Sequence, residues 1–258
     1  MNSILYSQEG AVARITLNRP SVFNSFNREM ALALQKALQE AADDATVRAV
    51  YLTGEGKAFC AGQDLQEVTG EDPPSFSTIL SEHYNPIIEL IREIEIPVVC
   101  AVNGVAAGAG ANIALACDIT VAKASATFIQ AFSKIGLIPD SGGTFFLPRL
   151  IGMQKATALM MLGEKVSAAD AEAMGMIYKV FSEEAFEKES WKLAEQLSQM
   201  PTVGLGLTKR ALNRSLESTL HKQLAIEEEL QSLAGLTKDY QEGVAAFLEK
   251  RAPEFKGM

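Results

Sequence analysis

Apolar and polar residues alternate through AVARITLN (11–18), the two-residue period of a strand with one buried face. The period then changes. In NREMALALQKALQEAADD (27–44) apolar residues recur every three to four positions, which predicts a helix with Asn27 as its N-cap. AVYLTG (49–54) is a short buried strand ending on glycine, PIIELIREIE (86–95) a helix, and PVVCAVNG (97–104) and ITVAKASATFIQ (119–130) strands. Strand–helix–strand order predicts parallel pairing with right-handed crossovers. Beyond Pro148 the pattern predicts helices only: QKATALMMLG, SAADAEAMG, EEAFEKESWKLAEQLSQM, the run from Val203 to Leu233, and DYQEGVAAFLEKR. Ser167 and Asp170 have the S-x-x-D spacing of a helix start. No internal repeat or low-complexity linker interrupts the chain.

The stretch from Ile96 to Cys117 carries no formal charge, yet Pro97, Asn103, Asn112 and three glycines break it. It reads as a buried strand, a glycine-rich turn and a buried helix, not a membrane span. Nor is GAGANI a dinucleotide fingerprint, because Ile113 takes the place of the third glycine and no acidic residue follows at the expected distance. With 258 residues, 48% of them hydrophobic and 21% charged, the chain has ordinary globular composition and can bury a large core. A net charge of −9 argues against nucleic acid or an anionic membrane as bulk partner. It leaves room for a local basic pocket. Cys60, Cys100 and Cys117 are widely spaced in apolar surroundings, which predicts buried thiols and neither a zinc site nor a disulfide framework. MNSILYSQEGAV lacks the features of a signal peptide, so a cytoplasmic location is expected. The closing EKRAPEFKGM is a short basic tail, by composition a solvated surface.

One segment carries an ambiguity. In IPDSGG (138–143), Pro139-Asp140-Ser141-Gly142 suits a tight turn on local chemistry. Asp140 serves that turn or is the acid/base of an active site, and taken alone the segment favours the turn.

Five segments in order decide more: NRPSVFNSFN, GKAFCAGQDL, PVVCAVNGVAAGAGANIALACDI, GLIPDSGGTFFLPRLIG and FLEKRAPEFKG. Together they resemble the crotonase (enoyl-CoA hydratase/isomerase) superfamily over almost the whole chain. AGQDL, AAGAGANIALACDI, FIQAF and IPDSGGT look most like its phenylacetate-degradation branch. The resemblance implies an α/β fold with a crotonase-like ββα spiral core (1–198) and a C-terminal helical region (199–258) that builds trimers, often paired into hexamers. It implies an acyl-CoA thioester substrate, with CoA arriving as part of that substrate and no metal or redox cofactor.

Family chemistry rests on two backbone N–H groups that bind the thioester oxygen; the matching positions are assigned to Ala61 and Ala109. Hydratases add two glutamates, and at those positions this sequence has Asn112 and Phe132, neither an acid nor a base. Isomerase relatives place a carboxylate where Asp140 stands, so the resemblance makes Asp140 the acid/base, in a site walled by Phe132, Ile138 and Phe145 that should raise its pKa. Asn112 hydrogen-bonds substrate or ties the turn. Gln63, Asp64 and Leu65 follow the first donor, where the family's backbone cups the adenine of CoA, with Asp64 expected to secure the loop. Ser21 replaces a common basic contact to the CoA phosphates. Lys57, Lys250 and Lys256 are candidate substitutes, with Phe255 and Lys256 able to close over the nucleotide from a neighbouring subunit. The segment from Thr69 to Tyr84 is expected to border the acyl pocket. His83 and His221 have no motif context and are assigned to surface or interhelix packing. Ser141 lacks a nucleophile-elbow frame. The activity implied is isomerisation: a double-bond shift, or conversion of a ring-epoxide thioester to an oxepin. A hydratase with other residues and a catalytically silent CoA-binding scaffold are the rivals.

Overall fold

A computed structural model of the chain describes residues 2–69 and 73–258. Strands β1 (Ile4–Glu9) and β2 (Val12–Leu17) form a hairpin and lead into α1 (Arg28–Asp43), whose cap is Asn27, its side chain accepting from the Met30 N–H. Three coils follow. The first is β3 (Ala49–Gly54), β4 (Ala58–Cys60), the short helices α2 (Leu65–Val68) and α3 (Phe76–Thr78), a π-helical segment Ile79–Tyr84, and α4 (Asn85–Glu93). Next come β5 (Val98–Val102), β6 (Val105–Ala107) and α5 (Ala109–Ala116). The third contains β7 (Ile119–Lys123), β8 (Thr127–Ile129), a 3-10 turn Ala131–Ile135, α6 (Gly143–Ile151) and α7 (Met153–Leu162). Then β9 (Lys165–Ser167), α8 (Ala168–Ala173), β10 (Lys179–Phe181) and α9 (Phe186–Ser198) complete the core, and α10 (Thr202–Ser215), α11 (Leu220–Ala234) and α12 (Lys238–Glu249) follow.

Each coil gives one long strand to a first sheet, ordered β1-β2-β3-β5-β7-β10, and one short strand to a second, ordered β4-β6-β8-β9. In the first sheet the strands from β2 to β10 pair in parallel; the β1–β2 and β8–β9 pairs are antiparallel. The α/β spiral of ββα coils expected from the sequence is thus present. Two expectations need correction. ITVAKASATFIQ is two strands in different sheets. The region after Pro148 is not all helical, since β9 and β10 lie there. The parallel pairing expected across α1 holds for β2 and β3, and β1, which the pattern did not mark, adds a hairpin before it. Strands β8, β9 and β10 have three residues each, too few to display a period.

Parallel strands buried on both faces show why AVYLTG and PVVCAV read as unbroken apolar runs. Val50, Leu52, Val98, Cys100 and Val102 face the main core beneath α1, α4 and α5, while Ala49, Tyr51, Val99 and Ala101 face a smaller core that includes Phe186 and Ala194 of α9. The uncharged stretch Ile96–Cys117 is accordingly β5, β6 and α5. Among the described residues no helix is long and apolar enough to cross a membrane. Helix α10 is fastened to the spiral by a buried charge: Lys209 Nζ lies 2.7 Å from Asp118 Oδ2 and 3.3 Å from the Ile96 carbonyl. Arg92 takes the other oxygen of Asp118 at 3.1 Å. Burial lowers the Lys209 pKa and the facing Asp118 opposes that shift.

Candidate active site

Parallel pairing of β4 with β6 sets the turn after one strand against the turn after the other. The contact is backbone to backbone. A Cβ on Gly62 would lie 3.0 Å from the Ala107 carbonyl oxygen, and one on Gly110 only 2.5 Å from the Cys60 carbonyl oxygen. Gly108 has φ 54° and ψ −128°, a conformation that glycine alone adopts without strain. Ala109 follows as the first residue of α5, so its N–H has no acceptor within the helix and sits at the positive end of the helix dipole.

Backbone hydrogen-bond accounting corrects one assignment. The Ala61 N–H donates to the Phe23 carbonyl at 3.0 Å and is not available to a ligand. Around it, the Phe26 N–H donates to Gly62 O and the Asp64 N–H to Phe26 O, which turns the intervening Gln63 N–H the other way. Among the described residues, the N–H groups of Gln63 and Ala109 have no protein acceptor. These two, on abutting turns, can act as a pair of preorganised donors to a carbonyl oxygen that gains negative charge. The first donor is therefore Gln63, two residues beyond the expected Ala61; Ala109 keeps its place.

Asp140 stands on a turn one residue later than its proline suggested. The Gly143 N–H donates to the Asp140 carbonyl at 2.8 Å, and Ser141 and Gly142 between them have φ of 50° and 73°. Positive φ at both central residues is the mirror-image turn, unusual for serine. Asn112 holds the turn from beneath: its Nδ2 donates to the Asp140 carbonyl at 2.8 Å, and its Oδ1 accepts from Gln130 Nε2 at 2.7 Å. Asn112 and Gln130 are both buried. Asn112 ties the turn, with its oxygen and one Nδ2 N–H engaged inside the protein. Among the described residues, Asp140's carboxylate has one side-chain partner, the Ser141 hydroxyl donating at 2.8 Å to Oδ1, and its own main-chain N–H also favours the charged form. Burial raises the Asp140 pKa, and the serine bond opposes the rise.

Phe132 is buried beside the Gly108 turn, within 3.8 Å of where a Cβ on that glycine would sit. Gly136 (φ 74°) ends the 3-10 turn and leads into the stretch where Ile138 is 81% exposed in the single chain. Phe145 is half-buried, its ring under the Arg149 guanidinium at 3.7 Å and edge-on to Phe146.

Sequence reasoning missed Tyr84. It is buried, its hydroxyl donates to Gln63 Oε1 at 2.8 Å, and the carboxylate of Asp140 is near enough to add to the rise in its pKa that burial causes. Only the expectation that Thr69–Tyr84 borders the pocket pointed toward it; residues 70–72 of that stretch lie outside the described residues. Two nearby carboxylates are engaged in structure. Asp64 caps α2 by accepting from the Gln66 N–H and pairs with Arg19 at 2.9 Å; Glu67 accepts from Gln63 Nε2 and from the Arg28 N–H. Leu65 is exposed.

The tail is not a loose surface segment. The Lys256 and Gly257 N–H groups donate to the two oxygens of Asp239, and the Asp239 N–H donates to the Met258 carbonyl. Phe255 packs near Gly243 and its carbonyl accepts from Arg48. Neither Phe255 nor Lys256 reaches Gln63, Ala109 or Asp140 of its own chain through these contacts. His83 is buried near Arg28 between α1 and the π-helical segment, and burial lowers its pKa. The three cysteines are buried free thiols, as expected.

A spiral of ββα coils with two N–H donors left without protein acceptors on adjoining turns defines a class of enzymes, and comparison with known proteins gives it a name. Residues 7–258 match the family described as enoyl-CoA hydratase/isomerase, and the chain belongs to that family. The 1,2-epoxyphenylacetyl-CoA isomerase of Escherichia coli (strain K12) is 47% identical over 261 residues, covering 100% of this chain and 99% of that protein. A trans-2-decenoyl-acyl-carrier-protein isomerase of Streptococcus mutans serotype c is 38% identical over 258 residues, covering 98% of each. Among solved structures, the enoyl-CoA hydratase of Mycobacterium smegmatis superposes with a TM-score of 0.93 at 31% identity, covering 99% of both chains. The protein is thus an enzyme of the crotonase type.

Proposed function

We propose that the protein is an acyl-CoA isomerase. The N–H groups of Gln63 and Ala109 bind the thioester oxygen and stabilise the enolate formed when a proton leaves the neighbouring carbon. Asp140 removes that proton and returns one elsewhere, shifting a double bond or carrying a ring-epoxide thioester toward an oxepin. Its raised pKa suits a base that must also give the proton back near neutral pH. The chemistry calls on no group beyond the CoA that the substrate carries.

One observation supports this reading above the rest. Asp140 is a desolvated carboxylate with a single side-chain partner, while the positions where hydratases carry glutamates hold the turn tie Asn112 and the apolar Phe132. The E. coli relative described above favours the ring-epoxide substrate. Turnover of a panel of 3-enoyl-, 2-enoyl- and epoxyphenylacetyl-CoA tests the substrate, and substrate-dependent deuterium exchange from solvent separates an isomerase from a silent scaffold. Hydration of 2-enoyl-CoA at about 10 s⁻¹ or above, an ordinary enzyme rate, would restore the hydratase reading.

Assembly belongs to the same proposal. Phe247 is 82% and Leu236 78% exposed in the single chain, with Leu220 and Leu248 also on the surface of the C-terminal helices. Apolar exposure of this kind suits burial against further copies in a trimer or hexamer. A stable, active monomer in analytical ultracentrifugation at micromolar concentration would refute it. Phe255 and Lys256 would then reach the nucleotide of a neighbouring copy. Truncation after Ala252 should weaken acyl-CoA binding more than the chemical step.

A further inference from the structure

Gln63 enters the site twice. Its main-chain N–H is one of the two donors assigned to the thioester oxygen, and its side chain is held at both ends. The Tyr84 hydroxyl donates to Oε1 at 2.8 Å, and Nε2 donates to Glu67 Oε2 at 2.7 Å. The other oxygen of Glu67 accepts the Arg28 N–H at 2.7 Å. A continuous hydrogen-bonded chain thus runs from the start of α1, through the donor turn, to the π-helical segment.

The segment that carries Tyr84 is itself unusual. Ile79–Tyr84 winds as a π-helix, a form that is rare and recurs at functional sites. Gln35 Nε2 fastens it from α1 by donating to the carbonyls of Glu82 and His83. The Tyr84 ring packs edge-on against Phe26, centroids 5.8 Å apart, so its hydroxyl is presented to Gln63 from a fixed body. The turn it meets is held on one side by the Phe26 N–H, which donates to Gly62 O at 2.7 Å, while Gly62 (φ 94°) has no side chain of its own to restrain it, so the Gln63 side chain supplies the second hold.

We propose that Tyr84 is a positioning residue of the oxyanion hole, acting through the Gln63 side chain and Glu67 to fix the 62–63 peptide plane so that the Gln63 N–H points at the thioester oxygen. The inference rests on the isomerase reading above. A donor displaced by about 1 Å can cost ~10²-fold in rate, which is the scale of effect a loosened turn would produce.

The test compares the full-length protein with Tyr84→Phe, which keeps the ring against Phe26, and Gln63→Met, which keeps the length of the side chain and the main-chain N–H. Butyryl-CoA labelled with ¹³C at the thioester carbonyl is the probe: saturated, it binds without isomerising. In the unaltered protein, isotope-edited infrared spectroscopy should show the bound carbonyl stretch moved to lower frequency than in free solution. Each variant should lose most of that shift at saturating probe. For the best substrate of the panel, kcat should fall about ten- to a hundredfold with KM little changed, and the acid limb of the pH–rate profile should stay where Asp140 sets it. The double variant should be no worse than either single one, because both break the same chain. Retention of the full carbonyl shift and of kcat in Tyr84→Phe overturns the proposal while leaving the isomerase reading intact. Loss of kcat in Tyr84→Phe alone, with shift and Gln63→Met unaffected, overturns it too, since Tyr84 would then act on substrate directly. Absence of any shift in the unaltered protein removes the oxyanion hole itself.

Discussion

Two kinds of turn meet at this site and work in opposite ways. The pair at Gly62–Gln63 and Gly108–Ala109 offers main-chain groups, and its demands are steric: no Cβ fits at Gly110, and Gly108 needs its own region of backbone space. The turn at Asp140–Gly143 offers a side chain. Its backbone is held from outside, by Asn112 and Gln130, and tolerates even a serine at φ 50°. One turn is defined by what must be missing, the other by what must be present.

Substitutions can break that contrast. The largest effect should come from Asp140→Asn, which keeps size and turn but deletes the base: kcat should fall by ~10²–10⁴, the usual worth of a positioned general base, with acyl-CoA affinity and fold retained. An active, folded variant would show that the side chain is there for the turn. Gly108→Ala should cost ~10²–10³ in kcat by moving the Ala109 donor, and about 1–3 kcal/mol of stability from backbone strain, read by chemical denaturation. Ala61→Gly is its control: with the Ala61 N–H already donating to Phe23, activity should stay within a few-fold.

Ser141→Gly sharpens the other half. Removing the hydroxyl takes away the larger of the two interactions that favour the Asp140 carboxylate, leaving only its own main-chain N–H, so the pKa should rise further and the acid limb of the pH–rate profile should move to higher pH. The smallest effect is on stability. Asp140's folded-state pKa is raised above 3.8, so the folded state holds its proton to higher pH than the unfolded chain does. Stability therefore falls as pH rises from the ordinary carboxylate range through the folded-state value. Asp140→Asn should lack that fall, which denaturation midpoints measured across the acid range would reveal.

How far the site could be read from the chain follows the same division. Asp140, Asn112, Phe132 and Ala109 are identifiable only through the family resemblance, since IPDSGG by itself favours a turn and small residues beside Ala109 favour close packing. The first donor was misplaced by two residues because no side chain marks it. Whether Ala61 or Gln63 keeps its N–H depends on which one the Phe23 carbonyl accepts, a long-range contact that local pattern does not encode. Tyr84 was missed for a related reason: π winding shifts which residues share a face, so helical spacing points elsewhere. Most helices and the strands β2, β3, β5 and β7 are legible from period and from caps such as Asn27 and Ser167, while β1 is not. The second sheet was not, since β4, β6 and β8 have three residues each and exist only because three coils stack.

Stacking of coils also governs when the enzyme can become active after synthesis. The Gln63 donor lies in the first coil and the Ala109 donor in the second, joined where Gly110 touches Cys60; Asp140 comes with the third. No single coil holds a working part. Parallel strands separated by whole coils pair slowly, because loop closure precedes any gain from contact. During refolding, helical content should return well before turnover, and the lag between them would time the seating of the third coil on the second.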